Sequence, residues 1–170
     1  MSQVNATNSL SQIMADIDLG PSGSVQFMFA KLQLAQSQIC KNEAESYMKQ
    51  IEDIQQEQKE CAEMIERARK LQNQAKTNGG TTTMPADMKE FFDKRGLSTE
   101  RTGNDDRHNA DEWDYNLKSL TNYQEQIGNK TQTLMIYLQD FIGQYNSYQE
   151  GAMSAISAAT QTLRSIAKGQ

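Results

Sequence analysis

Trp113, Leu117, Leu120, Gln124, Ile127, Thr131, Leu134, Leu138, Phe141, Tyr145, Tyr148, Ala152, Ala155, Ala159, Thr162 and Ile166 alternate steps of four and three residues without a break. That spacing keeps one face of a helix in register with a partner helix, and it has no counterpart in a strand, whose faces repeat every second residue. A helix over 113–168 would run about 80 Å at ~1.5 Å per residue. A compact globule of 170 residues cannot hold it. With Leu117 at position a, the e positions include Met135, Ile142, Ile156 and Leu163, so the apolar face is wider than a two-stranded seam requires. One partner helix cannot cover it. From Trp113 to the end the charged residues are only Asp114, Lys118, Glu125, Lys130, Asp140, Glu150, Arg164 and Lys168, fewer than a face kept in water carries. Gly128, Gly143 and Gly151 interrupt the pattern at roughly 1 kcal/mol each relative to Ala. They are either tolerated weak points or places where another helix comes close, or where helix forms only on assembly.

A second long helix is predicted over 22–76, which lacks Pro and is dense in Gln, Glu, Lys, Ala, Leu and Met. Its seam is Cys40, Ala44, Tyr47, Ile51, Ile54, Gln58, Cys61, Ile65, Ala68, Gln72 and Ala75, and its charges avoid that line. Upstream, Val25, Met28, Leu32, Ala35 and Ile39 form a stripe one residue out of phase, which implies a skip in the repeat near Ile39. The connection, 77–112, begins with the breaker run TNGGTTT. A short helix follows at 85–95, opened by Pro85 and stopped by Gly96, with Met88, Phe91 and Phe92 as its apolar residues. The polar segment 98–111 is expected to be mobile. The fold class is therefore all-α: a long antiparallel helical hairpin, coiled-coil in character, with a short helix and a mobile loop in the connection.

Only 36% of the residues are hydrophobic and the mean hydropathy is -0.77, too polar for a rounded interior but sufficient for an elongated one. A net charge of -5 without a basic run argues against nucleic acid as a partner. Residues 1–21 read as a flexible polar tail, with no basic residue before Lys31 and no apolar run fit for a Sec or mitochondrial leader. The most apolar stretch, 25–39, is short of the ~20 residues a bilayer span needs, so no transmembrane segment is expected. Cys40 and Cys61 on one helix would lie roughly 31 Å apart, beyond disulfide reach, and read as buried thiols or else as interchain bridges.

Nothing in the sequence supports catalysis. His108 is the only histidine, which removes His-based triads and two-His metal motifs, and the cysteines are too distant to share a metal. Asp105, Asp106, Asp111, Glu112 and Asp114 lack the glycine and spacing of a calcium loop and read as a solvated segment. There is no phosphate loop and no GxSxG, and the sequons at Asn5 and Asn129 are short chance patterns. No enzyme, cofactor or metal is expected. Tyr137, Tyr145 and Tyr148 with Phe141 have no basic neighbours, which favours an interhelical core over base stacking.

The stretch QFMFAKLQLAQSQ, 26–38, sets Phe27, Met28 and Phe29 in a row. On a helix these point in three directions, so several helices, or a protective partner before assembly, are needed to cover them. Met28-Phe29-Ala30 followed by Ala35-Gln36-Ser37, then a Gln/Glu/Lys/Ala-rich helix, then Met84-Pro85 opening a short helix that ends at Arg95-Gly96, resembles the EspA-like (EspA/SseB) secreted filament proteins of bacterial type III secretion systems. The closing YNSYQEGAMSAISAATQTLRSIAKGQ resembles the last helix of that family and of needle-tip proteins. The resemblance covers about residue 19 to the end; a shorter connection, a low total length and two seam cysteines depart from it.

The resemblance implies a secreted subunit that polymerises into a hollow extracellular sheath on the needle, through which translocators and effectors pass to the host. It implies a cytoplasmic export chaperone that covers the assembly helices before secretion, needle and translocator proteins as partners, and a secretion signal in the N-terminal tail. The expected self-assembly face is Leu134, Met135, Leu138, Phe141, Ile142, Tyr145, Tyr148, Ile156 and Leu163; Phe27, Met28, Phe29 and Leu32 are expected to meet the chaperone or another subunit. The other reading is a non-polymerising tip adaptor or helical chaperone.

Overall fold

The computed structural model describes residues 9–18, 24–100, 103 and 105–169. Along these residues the elements are α1 (Leu10–Asp16), α2 (Val25–Asn78), β1 (Thr82–Thr83), α3 (Ala86–Arg95), β2 (Arg107–His108) and α4 (Ala110–Lys168). Helix α2 packs against α4, and the fold is an all-α helical hairpin. The chain divides into two compact units. One contains α1, α2 as far as Gln50 and α4 from Leu134; the other is Ile51–Thr133.

In the first unit the α2 seam departs from the expected stripe. Val25 and Met28 are exposed, Leu32 and Ile39 half-buried, and only Ala35 of that set is buried. The protected line is Ala30, Gln33, Ser37, Cys40 and Ala44, in which only Gln33 is half-buried and the others are buried. Those steps of three and four run directly into the downstream seam, so the repeat needs no skip near Ile39. The reason is that this end of the hairpin is lined by small and polar groups. Gln33 lies against Gly151, where a Cβ would stand 3.0 Å from its Oε1, so this glycine permits a close approach. Gly128 and Gly143 meet no such neighbour. Buried Ser37 donates to the Leu34 carbonyl at 2.8 Å and accepts from Gln149 Nε2 at 2.8 Å, which satisfies its hydroxyl inside the seam. Ala152 and Ala159 are the buried positions of α4 here, and Tyr47 stacks on Phe141 with centroids 5.6 Å apart.

The stretch read as a flexible tail, 1–21, contains α1. Ser9 accepts from Gln12 N–H and its own N–H donates to Gln12 Oε1, a reciprocal cap, while Ile13 is buried. The remainder of that stretch, 1–8 and 19–21, lies outside the described residues, as does Asn5.

The second unit has the larger side chains. Trp113, Phe92, Met88, Leu120 and Cys61 are fully buried between the C-terminal half of α2, the short helix α3 and the start of α4. Pro85 is the N-cap of α3, and Gly96 closes it in the left-handed conformation, φ 63°, donating to Phe92 and Asp93 carbonyls. Segment 98–111, expected to be mobile, is tied down over its described second half. Thr82 pairs with His108 and Thr83 with Arg107 in an antiparallel ribbon, and the Met84 N–H donates to the Asp106 carbonyl at 2.7 Å. Residues 101, 102 and 104 of it lie outside the described residues. Helix α4 starts at Ala110, three residues before Trp113, because Asn109 caps it. Its Oδ1 accepts from the N–H of Asp111 and Glu112, and Glu112 Oε2 accepts from the Asn109 N–H. The ribbon is fastened to the core through Thr82, whose hydroxyl accepts from Trp113 Nε1 at 2.7 Å and donates to the Leu71 carbonyl at 3.0 Å.

Thr82→Val keeps the shape but leaves the fully buried indole N–H without its acceptor. A loss of about 1–3 kcal/mol in urea unfolding is expected. An unchanged midpoint would show that the Trp113 bond is not what secures the ribbon.

Candidate functional site

The residues expected to form an assembly face all fall in the first unit, and the single chain sorts them by how far it covers them. Leu134 is buried; Leu138, Phe141, Tyr145, Tyr148 and Ile156 are half-buried. Met135, Ile142 and Leu163 are exposed at 41%, 43% and 54%. Met153, not anticipated, is exposed at 69%. At ~100° per residue Met135, Ile142, Met153, Ile156 and Leu163 fall within about 80° of one another, on one flank of the α4 seam. Met135, Ile142, Ile156 and Leu163 are e positions, and Met153 is a b position on the same flank, which a single partner helix leaves uncovered. Ile136 and Ile166 are also exposed, at other angles around the helix. Tyr137, at 48% exposure, lies 5.7 Å from the Tyr47 ring.

On α2, Phe27 and Leu32 are half-buried while Met28 and Phe29 remain exposed at 61% and 48%. The Phe27 N–H is capped by the Ser24 hydroxyl at 3.2 Å, which sets the first turn of the helix. Phe27, Met28 and Phe29 therefore differ in cover. The intact chain leaves two of the three to solvent. Among the described residues no helix is long and apolar enough to cross a membrane, so these side chains are not part of a helical span.

The second unit carries a polar site that the sequence reading placed in solvent. His108 is 2% exposed and meets Trp113 edge-on, ring centroids 5.1 Å apart. Its Nδ1 faces Glu100 Oε2 at 3.8 Å. Glu100, His108 and Glu112 bring one ligand atom each to within 4.8 Å of one another. Asn116, fully buried, accepts the Glu100 N–H on its Oδ1 at 2.8 Å. The other acids of the cluster disperse: Asp106 pairs with Lys89 at 2.7 Å, Asp105 accepts the Arg107 N–H and Asp114 accepts from Gln72. A single histidine among scattered carboxylates gave no periodic signal. What could have located it is the coincidence of Asn109-x-x-Glu112, a capping box, with a histidine immediately before it.

In the same unit an ionic network joins α3 to both long helices. Arg95 donates to Glu57 at 3.0 Å and to Glu60 at 2.9 Å, and its guanidinium sits 3.8 Å over the Phe91 ring. The Tyr123 hydroxyl donates to the same Glu57. Burial first, then this bond to an anion, push the Tyr123 hydroxyl up to about 12. Burial likewise pushes the Cys61 thiol up to about 11, against the pull of Arg95; the thiol donates to the Leu120 carbonyl at 3.5 Å. Cys40 is raised by burial and then by Asp140. Both thiols are free and buried, where they pack as small apolar groups with little thiolate character.

In comparison with known proteins, no family model, curated protein or solved structure matches the chain.

The raised groups make folding sensitive to alkali. The unfolded chain ionises Cys61 and Tyr123 near their ordinary 9.0 and 10.0, whereas the folded chain resists until about 11 and about 12. Stability is thus full below about pH 9 and falls as pH rises from there toward 12. A urea midpoint lower at pH 10.5 than at pH 8, with a shallower fall in Tyr123→Phe, is the expected result. Equal slopes in the two proteins would remove Tyr123 from the account.

Proposed function

We propose that the chain is a structural subunit of a type III secretion filament, a needle extension that polymerises through its coiled-coil helices into a hollow extracellular conduit. The observation that carries this reading is the open apolar row Met135, Ile142, Met153 and Leu163 beside a seam already packed on α2. A helix that has its partner and still presents a second apolar flank has the pattern of a multi-helix assembly. The resemblance of 28–37, 84–96 and the C-terminal helix to EspA-like proteins supplies the secretion setting.

On this reading Leu134, Leu138, Phe141, Tyr145 and Tyr148 hold the hairpin, while Met135, Ile142, Ile156 and Leu163 meet neighbouring subunits. Met28 and Phe29, open on α2, suit cover by a cytoplasmic export chaperone before secretion and by another subunit afterwards. Needle and translocator proteins are the remaining partners. The role is assembly rather than catalysis.

Ile142→Arg puts a charge in the centre of the open row without touching the buried seam. Electron microscopy of the purified protein at rising concentration is expected to show filaments for the wild type and none for the variant, with helicity by circular dichroism kept within about 10% because a surface change leaves the core intact. Filaments of unchanged length in the variant would move the contact elsewhere. A discrete, concentration-independent mass for the wild type would instead favour a tip adaptor or helical chaperone.

A further inference from the structure

We propose that Glu100, His108 and Glu112 form a binding site for one divalent transition-metal cation of the zinc class, which ties the segment before α4 to that helix's first turn. Their three ligand atoms lie within 4.8 Å of one another, so a modest contraction brings all three onto one ion. Zinc takes imidazole nitrogen and carboxylate oxygen at ~2.0–2.2 Å, and three protein donors leave its fourth tetrahedral position to solvent. Calcium and magnesium fit poorly, since they require six or more oxygen ligands or a nearly complete water shell.

A second, independent observation points at the same place. The His108 side chain is 3% exposed, yet its Nδ1 has no hydrogen-bond partner among the described residues and faces Glu100 across 3.8 Å. A buried ring nitrogen in that condition costs free energy that ligation to a cation recovers. Backbone bonds also help to hold the residues in place. His108 is fixed by its strand pairing with Thr82, and the Glu100 backbone by Asn116 Oδ1. Glu112 accepts the Asn109 N–H on Oε2, and a carboxylate has lone pairs beyond that one bond for an ion. Two carboxylates this close repel, and a divalent charge between them turns that repulsion into attraction.

The test is isothermal titration of the full chain, stripped with chelator, with zinc chloride alone, together with its thermal midpoint by circular dichroism. One zinc per chain is expected. At 100-fold excess over Kd the midpoint should rise by roughly 5–10 °C, while magnesium and calcium leave it unchanged. Glu112→Gln retains a capping side chain but loses the charge, and a tenfold or greater weakening of zinc binding is expected; His108→Ala should abolish it. If His108→Ala fails to fold, Glu112→Gln and Glu100→Gln carry the test. No zinc uptake by the wild type, or uptake equal in wild type and Glu112→Gln, would overturn the proposal. Because no filament is scored, the result is independent of the assembly reading.

Discussion

The α2–α4 seam is the constraint on which every other feature rests. With 36% of its residues hydrophobic, the chain has no apolar surplus, and what it has must be placed where two helices bury it jointly. Alternating steps of three and four do this along α2 from Ala30 to Ala75, and the polar seam members survive only by being satisfied. Ser37 is bonded to Leu34 and Gln149, Gln58 to Thr131, and Gln72 to the Ala110 carbonyl and Asp114. Each such pair joins α2 to α4 in one register. A one-residue slip would leave these groups buried and unpaired, a penalty of about 1–3 kcal/mol per group. The polar seam positions therefore specify the alignment that the apolar positions stabilise.

The two units solve the same packing problem with different side chains. Around Gly151, Ala152 and Ala159 the seam is lined by small groups, and the Gln33 side chain of α2 lies where a Cβ on Gly151 would stand 3.0 Å from its Oε1. Around Trp113 the buried groups are bulky, and a third helix and a ribbon join the two long helices. Those additions are anchored by directional contacts: the Trp113–Thr82–Leu71 chain of hydrogen bonds, and Arg95 between Glu57, Glu60 and Phe91. Arg95, 18% exposed at its side chain, lies where such pairs gain more than at an open surface.

How much of this could be read from the sequence follows from which residues bear the signal. The long helices, the Pro85–Gly96 brackets of α3 and the seam from Cys40 to Ala75 rest on large apolar residues or on residues with restricted backbones, and these are legible. The seam above Cys40 rests on Ala30, Gln33 and Ser37, which carry no hydrophobic weight, while Val25, Met28 and Leu32 beside them do. Periodicity followed the heavier residues to a stripe of which only Ala35 is buried. Segment 98–111 reads as loop because a two-residue ribbon leaves no period at all. The burial of His108 follows from long-range pairing with Thr82, which one-dimensional spacing does not contain. For the open row on α4, the e positions were visible as apolar, but their exposure depends on how far α2 covers them.

That dependence bears on why the apolar e positions stay open. A coiled-coil helix hides a flank when the side chains opposite are long enough to fold over it. In the first unit α2 brings small residues, Ala30, Ser37, Cys40 and Ala44, and one ring, Tyr47, to the seam, and Tyr47 meets Phe141 and Tyr137 on α4. Ile142, next in sequence to Phe141, and Met135 stay 43% and 41% exposed with that contact in place. In the second unit α3 supplies Met88, Phe91 and Phe92, all buried, and the corresponding apolar surface is consumed within the chain. An apolar e position that its own hairpin partner leaves open is a ridge for further helices to cover. The proposed assembly therefore depends on the flank that α2 leaves open as much as on what α4 presents.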